Sequence, residues 1–222
     1  MKKMLLIALA AVPIFFASCS LDTEIYNDHL IAMWAQTLEP YSTDIAFYGD
    51  SRVAGANWKE AYPDSDVVNL GIGGDVVEGT IQRLPLLQAL DVKYCFLAIG
   101  CNNCGKSSFS ATTFKNHYDQ LLGGLAELGI TVYVNTIAGV TTANSSVDAA
   151  TIEMMNANMV VANAIIKDLA ESHGMALIDI AAGMNNPDGT LKADYSVDGI
   201  HFSAAGTQFW YDSLRPYVEA AL

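Results

Sequence analysis

Short apolar runs alternate with longer amphipathic stretches along most of the chain. The runs are Ile45–Tyr48, Val67–Leu70, Tyr94–Ile99, Thr131–Val134 and Ala176–Ile180. Each is rich in β-branched or aromatic residues and is bounded by Gly, Asn or Asp. Apolar residues at consecutive positions predict strands buried on both faces, as in a parallel sheet. Between the runs the period changes. Phe114, Tyr118, Leu121, Leu125 and Leu128 recur three and four residues apart, and so do Ile152, Met155, Met159, Ala162, Ile166 and Leu169. That spacing lays one apolar stripe along a helix, and the methionines in the second stripe read as core filler. Val76–Leu90 and Ala204–Leu222 read as two more helices, and Asp22–Tyr41 as an N-terminal one. Strand-helix alternation means βαβ units and an open, doubly wound α/β sheet. Gly139–Val147 and Met184–Val197 stay irregular, the second around the turn signal Asn186-Pro187-Asp188-Gly189.

The first residues follow a different logic. Lys2 and Lys3 precede an apolar run, Met4–Phe16, and then come Ala17, Ser18 and Cys19. A positive start, a short apolar middle and small residues make a signal peptide. The run is shorter than the roughly 20 apolar residues of a spanning helix. Phe16-Ala17-Ser18-Cys19 resembles a bacterial lipobox with Phe16 where Leu is usual, so Cys19 is the expected lipidated first residue of an exported, membrane-anchored lipoprotein. A plain secreted protein cut nearby is the other reading. The expected divisions are 1–18 as leader, 19–44 as lead-in with the N-terminal helix, and 45–222 as the folded domain.

Composition narrows the function. The 222 residues carry 11 basic and 24 acidic side chains, a formal net charge of -13. Such a chain, with no basic run, is a poor partner for phosphate backbones, so nucleic acid is set aside. Cys95 sits in an apolar run and reads as a small buried hydrophobe. Cys101 and Cys104 form a C-x-x-C without a second ligand pair nearby, which argues against a metal. It also lacks the setting of a thioredoxin-like redox motif. The pair reads either as a short disulfide or as two free thiols.

Ligands of open parallel sheets bind beyond the carboxyl ends of the strands. Four polar or Gly-rich blocks fall there: Gly49-Asp50-Ser51, Asn69-Leu70-Gly71-Ile72-Gly73-Gly74-Asp75, Gly100-Cys101-Asn102 and Asp198-Gly199-Ile200-His201. They hold the parts of acyl transfer: a serine hydroxyl, a histidine to take its proton, a carboxylate to orient the imidazole, and donors for a developing oxyanion. Each block has a plainer reading. Asp50 can cap a helix, Asn102 can serve a turn, and the glycines are not spaced as a phosphate loop. His29 and His117 read as helix residues, and His173 as a residue near a helix C-terminus. His201 stands apart because Asp198 lies three residues before it.

The four blocks, in this order, resemble the signature blocks of the SGNH/GDSL hydrolase family, and the second is similar to that of acetylhydrolases of the platelet-activating-factor type. The resemblance runs from about Ile45 to the C-terminus. It implies a three-layer, flavodoxin-like fold on a five-stranded parallel sheet. It implies Ser51 as nucleophile, His201 as base and Asp198 as the carboxylate orienting it. It further implies an oxyanion hole from the Ser51 N–H, the Gly74 N–H and the Asn102 amide, and neither metal nor organic cofactor. Three positions depart from the family: Arg52 replaces Leu or Ile, Asn103 replaces Asp, and Cys101 replaces Thr. Arg52 reads as a residue that alters what flanks the nucleophile, as a contact to an anionic substrate, or as a solvated helix-start residue. Val53 rules out the G-x-S-x-G elbow. The expected activity is ester hydrolysis through an acyl-serine, on small acyl groups carried by carbohydrates. Lipid esters or thioesters are the alternative substrates. A non-catalytic carbohydrate-binding module on this fold would have lost Ser51 or His201, and both are present.

Overall fold

Consecutive residues of the first apolar run face opposite cores. Ala46 and Tyr48 pack into one, Ile45 and Phe47 into the other, and all four are buried. This is why the run shows no polar alternation: the sheet is covered on both sides. In the computed structural model, which describes residues 42–221, the five runs form β1 (Ile45–Gly49), β2 (Val67–Gly71), β3 (Tyr94–Ala98), β4 (Thr131–Asn135) and β5 (Ala176–Ile178). All pairings are parallel and the order is β2-β1-β3-β4-β5. The expected helix over 22–41, Cys19 and the leader lie outside the described residues.

The helices are α1 (Ser51–Ala54), α2 (Trp58–Ala61), α3 (Val77–Gln82), α4 (Leu84–Ala89), α5 (Cys101–Cys104), α6 (Ala111–Glu127), α7 (Ala149–Ser172), α8 (Ile180–Met184) and α9 (Ala204–Ala220). The stripes of α6 and α7 join Val77 of α3 and Leu87 of α4 on the Tyr48 face. Met155 and Met159 are buried there, as core residues. Trp58 of α2, Met184 of α8 and Trp210 of α9 cover the opposite face. Phe47 stacks on Trp58 at 3.8 Å, and Trp210 meets Trp58 edge-on at 4.8 Å. Each buried indole N–H has an acceptor, Val53 O for Trp58 and Asn135 Oδ1 for Trp210. Helices on both faces of one parallel sheet make the three-layer α/β fold that the alternation predicts.

Two of the differences from the sequence reading have a plain local cause. The single helix expected over Val76–Leu90 is two, separated at Arg83. Pro85 stands in the first turn of α4, where its missing N–H costs nothing; inside a continuous helix it would clash with the carbonyl four residues back. The last strand stops at Ile178 rather than Ile180, because Asp179 turns away to cap α8, accepting the Ala182 N–H at 3.3 Å. With β1 in the second position, the order of strand addition reverses between β1 and β3, while the strands stay parallel. That places a crevice at their carboxyl ends.

Candidate active site

Ser51 opens α1 directly after β1. Asp50 caps that helix, accepting the Arg52 N–H at 3.0 Å, so its plain reading as a cap is correct. Burial pushes the Asp50 carboxyl up to about 6, and the Arg52 cation and N–H only partly offset it. Asp198, Gly199, Ile200 and His201 form a tight loop closed by an antiparallel bridge between Ser196 and Phe202. Ser196 Oγ accepts the Gly199 N–H at 2.8 Å and donates to the His201 carbonyl at 3.0 Å. Gly199 has φ +91°, and a Cβ there would meet Thr141 O and Ser145 Cβ at 2.5 Å, so the loop turns only with glycine.

The structure brings the three sequence-selected side chains into one hydrogen-bonded chain. His201 Nδ1 lies 2.7 Å from Asp198 Oδ2, and His201 Nε2 lies 3.0 Å from Ser51 Oγ. Asp198 Oδ1 also accepts the main-chain N–H groups of Ile200 and His201, at 2.9 and 2.7 Å. Burial raises the Asp198 carboxyl, but the hydrogen bonds from His201 and these N–H groups outweigh it and hold it below the usual range. It is therefore an anion at neutral pH, able to receive Nδ1–H and to stabilise an imidazolium.

The remaining block residues follow the carboxyl ends of β2 and β3. Gly74, at φ +76°, turns the backbone after β2. Among the described residues neither the Ser51 N–H nor the Gly74 N–H has a protein acceptor. The Asn102 amide donates one N–H to the Asp75 carbonyl at 2.8 Å, which fixes its plane and leaves the second N–H available. Asn103 points elsewhere: it accepts the Val77 N–H at 3.0 Å and donates to Glu78 at 2.8 Å, tying α5 to the start of α3.

The model of the GDSL-like lipase/acylhydrolase family matches residues 41–209. The chain belongs to that family. As a GDSL-type ester hydrolase it also has neighbours among solved structures. A Bacteroides fragilis protein assigned as an acylhydrolase aligns over 92% of this chain and 99% of its own at 16% identity, with a TM-score of 0.71. A GDSL-like lipase from Bacteroides thetaiotaomicron aligns over 90% and 98% at 16% identity, TM-score 0.69. A variant of an acetyl xylan esterase from Geobacillus stearothermophilus aligns over 80% and 95% at 18% identity, TM-score 0.61. At these identities the likeness is one of fold. No curated protein matches the chain.

In this GDSL hydrolase the C-x-x-C is reduced: Cys101 and Cys104 are buried free thiols, as is Cys95. Burial pushes the Cys101 thiol up to about 11 and raises Cys104 as well, so neither is a nucleophile. His173 caps the C-terminus of α7 and pairs with Asp119 at 2.6 Å, and His117 lies 3.2 Å from Glu78.

Three features escaped the sequence reading. Arg52 is buried rather than solvated, and its guanidinium donates to the main-chain carbonyls of Ile200, Ala138 and Gly139, so it flanks the nucleophile as a structural tie. Arg83 and Asp75 form a buried ion pair beneath the Gly74 turn, with Arg83 also donating to the carbonyls of Leu70 at 2.8 Å and Gly49 at 3.2 Å. Asn156 and Asn163 of α7 bind the backbone that follows β4. A charge inside an apolar stripe was the available signal for Arg83. For Arg52 the signal was its departure from the family's Leu or Ile, which does not name its partners; the asparagines had none, because their partners lie on a distant segment.

Proposed function

We propose that this GDSL hydrolase is a serine esterase working through an acyl-serine intermediate, with Ser51 as nucleophile, His201 as base and Asp198 as its orienting carboxylate. One observation carries the reading: the 3.0 Å contact of Ser51 Oγ with a histidine whose other nitrogen is held by a carboxylate. Oγ attacks the ester carbonyl as its proton passes to Nε2. The carbonyl oxygen becomes an anion facing the Ser51 N–H, the Gly74 N–H and the Asn102 amide, donors in place before charge develops. The intermediate collapses, the C–O bond to the alcohol breaks, and Nε2 returns the proton to that oxygen. Water then attacks the acyl-serine by the same route, releasing the acid and restoring Ser51.

For substrate we propose small acyl groups, above all acetyl, on carbohydrates. Acetyl xylan esterases share the fold, and the expected export of this chain puts it where polysaccharides are met. A panel of esters from acetyl to long acyl, with acetylated xylo-oligosaccharide included, tests this. The expected result is the highest kcat/KM for acetyl and release of acetate from the oligosaccharide. A preference for long acyl chains or thioesters would move the assignment to lipid-like substrates.

The proposed address is a membrane surface, with lipid on Cys19. One acyl chain binds only marginally and several hold firmly, without any spanning helix. Mass spectrometry of the mature N-terminal peptide should find an acylated Cys19, whereas an unmodified terminus beyond it overturns the proposal.

A further inference from the structure

The Arg52 guanidinium lies where three segments meet. Its own backbone belongs to the Ser51 turn. Nε donates to the carbonyl of Ile200, the residue before His201, at 3.0 Å. Nη1 and Nη2 donate to the carbonyls of Ala138 and Gly139 at 2.7 and 2.9 Å. Its plane lies over the ring of Phe202, the residue after His201, 4.7 Å from the centroid. One cation thus grips the His201 loop on both sides, and it does so one residue away from Ser51. The planar fork of arginine suits three diverging acceptors, whereas a lysine ammonium is a point charge.

The residues on either side of Ala138 and Gly139 are held by α7. Asn163 Oδ1 accepts the Ile137 N–H at 2.7 Å and its Nδ2 donates to the Ile137 carbonyl at 2.9 Å. Asn156 does the same to Val140, at 2.9 and 3.0 Å. The two asparagines are about two helical turns apart, on one face of α7. Each amide binds the extended segment as a peptide unit of a neighbouring strand would. Beyond it, the Thr141 N–H donates to the Gly199 carbonyl at 2.9 Å. The segment 137–141 is therefore pinned to α7 on one side and to the His201 loop on the other, and Arg52 closes the ring to Ser51.

We infer that Arg52 is a positioning residue: it fastens the His201 loop to the Ser51 turn and so maintains the Nε2–Oγ contact through turnover. The inference rests on Ser51 and His201 being nucleophile and base. A base displaced by about 1 Å can cost on the order of 10²-fold in rate without touching substrate affinity. The departure of this chain from the family's Leu or Ile at this position then has a purpose, since an apolar side chain offers no donor to the three carbonyls.

The test is Arg52→Lys, which keeps the stem and the charge and loses the fork. With 4-nitrophenyl acetate, kcat should fall about 10²-fold while KM stays within about 2-fold, and fluorophosphonate labelling should slow in parallel. A purely structural role would lower the melting temperature and leave kcat per folded enzyme unchanged. Asn156→Ala, which leaves Arg52 intact and frees Val140, should lower kcat about 10-fold in the same way. The double variant should then fall short of the product of the two effects. Folded Arg52→Lys with parental kcat overturns the inference; should that variant not fold, parental kcat in Asn156→Ala does so. Ser51→Ala separates the levels. If it is inactive while Arg52→Lys is unimpaired, only this inference fails; if it is active, the assignment beneath it fails.

Discussion

Ser51→Ala should abolish both ester turnover and fluorophosphonate labelling, with kcat falling on the order of 10⁶-fold, the scale on which a triad serine acts. The reason is geometric. Ser51 Oγ is the group within 3.0 Å of His201 Nε2, and the buried thiols of Cys95, Cys101 and Cys104 are held protonated by burial, so they cannot substitute for it. The effect should fall on chemistry alone. The cap of α1 comes from the Asp50 side chain and the clamp on the His201 loop from Arg52, and neither uses the Ser51 hydroxyl. A thermal melt should therefore match the parent. Retention of more than about one-tenth of the turnover would mean that a different nucleophile operates.

Asn102→Ala should lower kcat by about 10²–10³-fold and leave KM nearly unchanged, the pattern of a donor that matters when the oxyanion forms. Its neighbour provides the control. Asn103 accepts the Val77 N–H and donates to Glu78, so Asn103→Ala strands a buried N–H at the start of α3. That should cost about 1–3 kcal/mol of stability and change kcat by less than about 10-fold. Side-by-side kcat values and melting curves distinguish the two. If Asn103→Ala is the variant with crippled kcat and Asn102→Ala the one that merely melts earlier, the oxyanion assignment belongs one residue later.

The candidate site was legible because its parts announce themselves locally. Glycine, serine and asparagine stand just beyond β1, β2 and β3, and a parallel sheet brings strand ends to one edge whatever the helices do; the Asp198–His201 pair lies well after β5, just before α9. The loop carrying His201 is also local: Asp198 reaches main-chain groups two and three residues on. The break at Arg83 was partly legible, since Pro85 marks it, but the apolar stripe ran across the break and masked it.

By itself the sequence determined the five strands of a parallel sheet, the long helices between them and the four polar or Gly-rich blocks. Periodicity and turn chemistry act over a few residues and are written in the chain. Only the tertiary structure decided where Arg52 points, because its acceptors lie 86, 87 and 148 residues away. The same holds for the two asparagines of α7, whose amides bind backbone groups 26 and 16 residues distant. A main-chain carbonyl is present at every position, so no residue type in the sequence marks which one will be bound. The choice is made by the layers as they pack, since a buried guanidinium or amide must take the acceptors that packing puts within its reach.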